Sequence, residues 1–160
     1  MKKKIAFMLA SYLGFGFSPF ASGTVGSLMT LPLAFVCAYY WGLSGILGLA
    51  LVAFFVGVVA SKEVLKYTKH DPSLIVIDEV AGQSLTFILL ADKLVGNIQA
   101  WLIYVAGFAF FRLFDIWKPQ PVRWADRSLL NAWGVMLDDV FAGVYAAGCL
   151  LMTMFVWGLF

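Results

Sequence analysis

Five apolar stretches, near Thr24 to Tyr40, Leu43 to Ala60, Leu74 to Leu90, Asn97 to Trp117 and Gly134 to Trp157, limit what this chain can become. Each has roughly 17 to 24 residues, enough at 1.5 Å per residue for a helix to cross about 30 Å of hydrocarbon. With 62% hydrophobic and 12% charged residues, and a mean hydropathy of +0.92, the chain cannot surround a core with a solvated surface. The expected fold is all-α: a polytopic membrane helix bundle of about five spans preceded by an N-terminal interfacial or re-entrant segment. Residues 1–160 are expected to form a single integral-membrane domain, since no charge run or Gly/Ser linker marks a boundary.

Five spans place the termini on opposite sides. With the N-terminus inside, Lys2, Lys3, Lys4, Lys62, Lys66, Lys69, Lys118, Arg123 and Arg127 are cytoplasmic, Lys93 alone is outside, and Arg112 lies within a span. The positive-inside rule therefore orients the chain N-terminus in and C-terminus out. The tryptophans agree: Trp117, Trp124 and Trp133 fall at the inner boundary, and Trp41, Trp101 and Trp157 at the outer one.

On that topology, "HDPSLIVIDEVAG" carries the main question. Read as a helix opened by Pro72 and Ser73, it brings Asp78 and Glu79 about one turn inside the cytoplasmic end of span three. Asp138 and Asp139 stand about one turn into span five, and Asp115 at the cytoplasmic end of span four. Five acids on three helices thus share one depth. Isolated carboxylates there cost several kcal/mol, so they should face the interior, paired with cations or metal. Arg112, three residues before Asp115, is one candidate partner; the acids still outnumber it. "IDEVAG" and "LDDVFAG" also resemble each other, each following its acid pair with an Ala-Gly step that admits a neighbouring helix.

Clustered oxygen ligands without Cys or a second His suit magnesium rather than zinc or iron. Cys37 and Cys149 lie in apolar runs, far from other ligands, and read as core residues. Parts for binding phosphate surround the acids. Lys118, Arg123 and Arg127 lie in "FDIWKPQPVRWADR", a loop that Pro119 and Pro121 should hold irregular and extended; they serve either a substrate or anionic lipid. Ser22, Gly23 and Thr24 open span one, where free N–H groups favour an anion, although the Gly-Lys-[Ser/Thr] ending of a P-loop is missing. Phosphocysteine chemistry is excluded by the lack of a suitably placed Arg, and two-histidine chemistry by the single His70.

The motifs "GFGFSPFASGTVGSL", "HDPSLIVIDEVAG", "FRLFDIWKPQPVRWADR" and "GVMLDDVFAG", in this order and spacing, resemble those of the phosphatidylglycerophosphatase A family. Because the first includes Gly14 to Leu28, the resemblance implies that the signal-peptide-like N-terminus belongs to the mature enzyme. It implies magnesium-dependent removal of the terminal phosphate of phosphatidylglycerophosphate, a membrane phospholipid, giving phosphatidylglycerol, in a bacterial cytoplasmic membrane with the active site at the cytoplasmic face. Asp78, Glu79, Asp115, Asp138 and Asp139 would hold one or two Mg2+ ions and activate water, an aspartyl nucleophile being the other route. Lys118 and Arg123, helped by Arg127 or Arg112, would bind phosphate, and Asp126 would orient their loop. His70 would either protonate the leaving oxygen or cap a turn. No nucleic-acid partner is expected, and the oligomeric state is open. The rival reading is a divalent-cation transporter or channel with an intramembrane carboxylate site.

Overall fold

The computed structural model describes residues 2–68, 73–96 and 100–158, and every regular element among them is a helix. α1 (Lys2–Ala10) leads through a 3-10 turn at Phe15–Phe17 into α2 (Ser22–Val64). α3 (Ile77–Thr86) tightens into a 3-10 segment at Ile88–Lys93, and α4 (Ala100–Trp117), α5 (Val122–Ser128) and α6 (Ala132–Val156) complete the order. α2, α4 and α6 are each long and apolar enough to cross a membrane. The all-α class expected from the sequence holds throughout the described residues.

α2 is two limbs rather than one rod. At Gly42 the backbone takes φ 55 and ψ −134, and a Cβ on Gly45 would come within 2.2 Å of the Cys37 carbonyl oxygen. A straight helix would hold those two residues about 12 Å apart. At the far ends of the limbs, Gly26 lies against Val76 and Gly57 against Ile77, so both limbs return to one level. The break falls between the two apolar runs because glycine adopts this positive φ without a Cβ penalty.

The packing is inverted relative to a water-soluble bundle. Ala10, Ala34, Ala81, Ala142 and Ala146 are fully buried, whereas Phe55, Val59, Val105, Met152 and Val156 are exposed on outer faces. Helices in hydrocarbon gain little from burying large side chains and associate instead through small residues that let backbones approach. The crossing of α3 and α6 shows this directly. A Cβ on Gly82 would lie 2.5 Å from the Asp139 carbonyl oxygen, and one on Gly143 would lie 2.4 Å from that of Gly82. The Ala-Gly steps of the two similar segments meet each other.

Three local expectations are corrected. α3 opens at Ile77 rather than at Ser73, Pro72 lying outside the described residues. The Val76 N–H donates to the Ala10 carbonyl at 2.9 Å, and Gly16 presses against the Leu74 carbonyl, so the N-terminal segment takes backbone groups that a longer helix would use. Asp78 and Glu79 consequently stand in the first turn of α3. The loop after α4 is not extended throughout, because α5 forms directly after Pro121. Proline suits a helix start, where its missing N–H leaves no intrahelical bond unmade. α6 likewise begins two residues before the expected Gly134, at Ala132, because Asn131 Oδ1 accepts from the N–H groups of Trp133 and Gly134 at 2.9 and 3.3 Å.

Candidate active site

The hairpin, the short α3 and the α3–α6 crossing bring the start of α2, the start of α3, the end of α4 and the first half of α6 to one place. There Asp78, Glu79, Asp115, Asp138 and Asp139 line a single cavity of about 310 Å³, together with Arg112, Lys118, Ser22 and Gly23. The common depth expected for the five acids becomes a shared wall.

Glu79 is held from two helices. Arg112 Nη1, on α4, donates to both carboxylate oxygens at 2.8 and 2.7 Å and also reaches Asp115 Oδ2 at 3.0 Å. The pairing of Arg112 with Asp115, three residues later on one helix face, follows from their spacing. Ser27, fully buried on α2, donates to Glu79 Oε2 at 2.7 Å and lies 3.3 Å from Arg112 Nη1. One turn earlier, Gly23 leaves no room to spare: a Cβ there would sit 2.0 Å from Glu79 Oε1. Gly23 and Ser27 therefore form the surface on which Glu79 rests.

Asp138 is held by a different device. Lys118, just past the end of α4, donates to Asp138 Oδ2 at 3.0 Å and to Asp126 Oδ1, on α5, at 2.5 Å. Its backbone has φ 50, a left-handed conformation uncommon for a residue with a Cβ and the kind of local strain that gathers at functional sites. Burial works against its charge, but Asp138 and Asp126 outweigh burial and hold its pKa above the ordinary lysine value. Lys118 is thus a cation at neutral pH.

The resemblance of the two acidic segments extends to their geometry. Asp78 Oδ1 accepts the N–H of Glu79, and Asp138 Oδ1 accepts the N–H of Asp139, both at 3.0 Å. Glu79, Asp115 and Asp139 each offer an oxygen within 4.8 Å of the others, from three different helices. Five carboxyl groups face two cations in the cavity wall, so the acids outnumber the basic groups.

Other residues singled out from the sequence divide. Ser22 and Gly23 line the cavity, and Ser22 Oγ donates to the Ser73 carbonyl at 2.5 Å. Thr24, half-buried in the same turn, is not part of the lining. Arg123 and Arg127 are exposed on α5 and do not line the cavity either. His70 lies outside the described residues. Ser27 and Ser73 escaped the sequence reading, although Ser27 follows Gly23 at the four-residue spacing that puts both on one face of α2.

Fold and site together define an all-helical protein with three helices long and apolar enough to cross a membrane and a carboxylate-lined polar cavity at one end of its bundle. Within that class the assignment is specific: the family model for Phosphatidylglycerophosphatase A matches residues 8–154, and the chain belongs to this family. It is 34% identical over 154 residues to Phosphatidylglycerophosphatase A of Escherichia coli (strain K12), covering 95% of this chain and 85% of that protein. It is 36% identical over 140 residues to the protein of the same name from Haemophilus influenzae, covering 87% and 82% of the two chains. A Bacteroides thetaiotaomicron protein, provisionally named a phosphatidylinositol-3-phosphatase, is 34% identical over 156 residues, 94% of each chain. No solved structure matches the chain.

Proposed function

We propose that this protein removes the terminal phosphate of phosphatidylglycerophosphate to give phosphatidylglycerol, using Mg2+. The observation that carries the reading is the composition of one cavity: five carboxylates with Arg112 and Lys118, beside the first turn of α2. Family membership and the names of two relatives support the substrate.

The oxygen donors of Glu79, Asp115 and Asp139 fit a hard divalent cation, with Asp78 and Asp138 close by in the same wall. When bound, magnesium supplies charge compensation for the phosphomonoester and Lewis acidity. The chain's own residues do the rest. Arg112 and Ser27 hold Glu79 in one orientation; Lys118 holds Asp138 and presents a permanent positive charge to phosphate oxygens. The N–H groups at the start of α2, around Ser22 and Gly23, complete an anion site to which the helix dipole contributes. Arg123 and Arg127, exposed on α5, attract the anionic membrane surface and substrate headgroup rather than the transferred phosphate.

Residues 1–160 act as one domain that crosses the membrane five times: the two limbs of α2, α3 with its 3-10 continuation, α4 and α6. The N-terminus is cytoplasmic, the C-terminus is outside, and the cavity opens at the cytoplasmic headgroups, with α1 lying at that interface. The lipid enters laterally and leaves its acyl chains in the bilayer.

The test is phosphate release from phosphatidylglycerophosphate by the purified chain in detergent, with magnesium and after chelation. Release that requires the metal supports the reading. No release under either condition, with divalent-cation flux into proteoliposomes, overturns it in favour of transport.

A further inference from the structure

Gln83 is fully buried, and neither its amide nitrogen nor its amide oxygen finds a hydrogen-bond partner among the described residues. Leaving such a group unpaired in an apolar interior is unfavourable enough that it calls for an explanation. Its position supplies one. α3 presents Glu79, Gln83 and Phe87 at four-residue intervals, in one stripe. Both ends of the stripe meet α4: Glu79 pairs with Arg112, while Phe87 packs on Gly107 and Tyr104. α4 therefore runs antiparallel to α3 along this seam, and Gln83 falls between the levels of Arg112 and Tyr104. On the same seam Arg112 Nε is buried and also without a partner among the described residues.

A single buried water that accepts from Arg112 Nε–H and donates to Gln83 Oε1 would pair one atom of each orphaned group, since such waters typically make two to four bonds to otherwise unsatisfied groups. We propose that the Gln83 amide, through one ordered water, holds the Nε edge of Arg112, which makes Gln83 a positioning residue for the Glu79–Arg112–Asp115 arrangement. The guanidinium is planar, and its Nη1 serves Glu79, Asp115 and Ser27 together. Restraining Nε fixes the plane and so keeps Nη1 aimed at all three acceptors. A role through Arg112 also accounts for a polar amide one turn deeper than the acids, where an apolar side chain would pack without penalty. The inference rests on the phosphatase reading of the cavity.

The test is a double-mutant cycle in the full chain, purified in detergent, with both phosphate release and melting temperature as readouts. Gln83→Met keeps the side chain's length and removes both amide atoms. Arg112→Lys keeps the charge and removes Nε. Gln83→Met in the otherwise wild-type chain should lower kcat about 10- to 100-fold, leave KM within about twofold, and lower the melting temperature. In the Arg112→Lys background both effects should vanish. A raised melting temperature with unchanged kcat would mark a true orphan and overturn the proposal, as would equal effects in both backgrounds. Where Arg112→Lys leaves too little activity to measure, the melting temperatures alone decide. If Gln83→Met does not accumulate, the wild-type chain decides: a crystal structure must show a water within about 3.2 Å of both Gln83 and Arg112 Nε, and its absence sinks the idea. Failure of the phosphatase reading is separately visible, as a wild-type chain that releases no phosphate.

Discussion

α3 and α6 carry similar acidic segments, cross at glycine and contribute to one cavity, yet they hold their acids by unlike means. On α3, Glu79 is gripped by Arg112 and Ser27, both inside long helices, with Gly23 against its flank. On α6, Asp138 is gripped by Lys118, a residue between two helices with a left-handed backbone, itself tied to Asp126 on the seven-residue α5. The α3 half is built from rigid elements and the α6 half depends on a connecting segment. The lesson is that one carboxylate motif can be held in two ways: by residues inside long helices on one side, and by a residue in a connecting segment on the other.

The strongest way to break the comparison is to remove an acid from each half. Glu79→Gln and Asp139→Asn should each lower kcat/KM by at least about 10³-fold, with both proteins still inserted in membranes. Near-normal turnover by either would show that its half is dispensable. Next comes Gly23→Ala, which adds a methyl where Glu79 Oε1 stands. If the α3 half is rigid, the carboxylate cannot yield and kcat/KM should fall about 10²-fold, as a misplacement of about 1 Å commonly does. A fully active Gly23→Ala protein would mean that the grip on Glu79 is loose.

Lys118→Ala probes the other half. It should lower kcat/KM by about 10- to 100-fold while moving the melting temperature far less than Arg112→Ala does, because Arg112 lies inside the long helix α4 and joins it to α3, whereas Lys118 lies in the segment between α4 and the short α5. Saturating magnesium should not restore the Lys118→Ala protein; full recovery would make the lysine a surrogate for metal rather than a contact for phosphate. The smallest effect belongs to Arg127→Ala, which should keep kcat/KM within about twofold in detergent and lose activity only on vesicles rich in anionic lipid. A large loss in detergent would bring α5 into the site.

Much of this arrangement can be read from the sequence because membrane constraints are local. Apolar runs bounded by Gly42 forecast the two limbs of α2, and the acids' similar distance from one end of their runs forecast a shared cavity. The pairing of Arg112 with Asp115 follows from a three-residue spacing. What escapes is set by contacts distant in sequence. The start of α3 is displaced to Ile77 by Ala10 and Gly16, which no pattern around residues 70–80 reveals. Ser27 reads as one more small residue in an apolar helix until Glu79 arrives beside it. Lys118 is identifiable as a cation at the right depth, but its two carboxylate partners depend on α5, whose formation after Pro121 the prolines obscure.

The stitches that join Ser22 to Ser73 and Val76 to Ala10 have a consequence for how the protein comes into being. They tie the earliest part of the chain to a segment made some fifty residues or more later, and Asp139 is made later still. A ribosome that has extruded the chain through α4 has already delivered everything needed to seat Glu79: Gly23, Ser27, Arg112 and Asp115. It has not delivered the opposite wall. The nascent chain therefore holds the Glu79 side of the cavity before the α6 side exists, and the wall is complete only when Gly143 packs against Gly82.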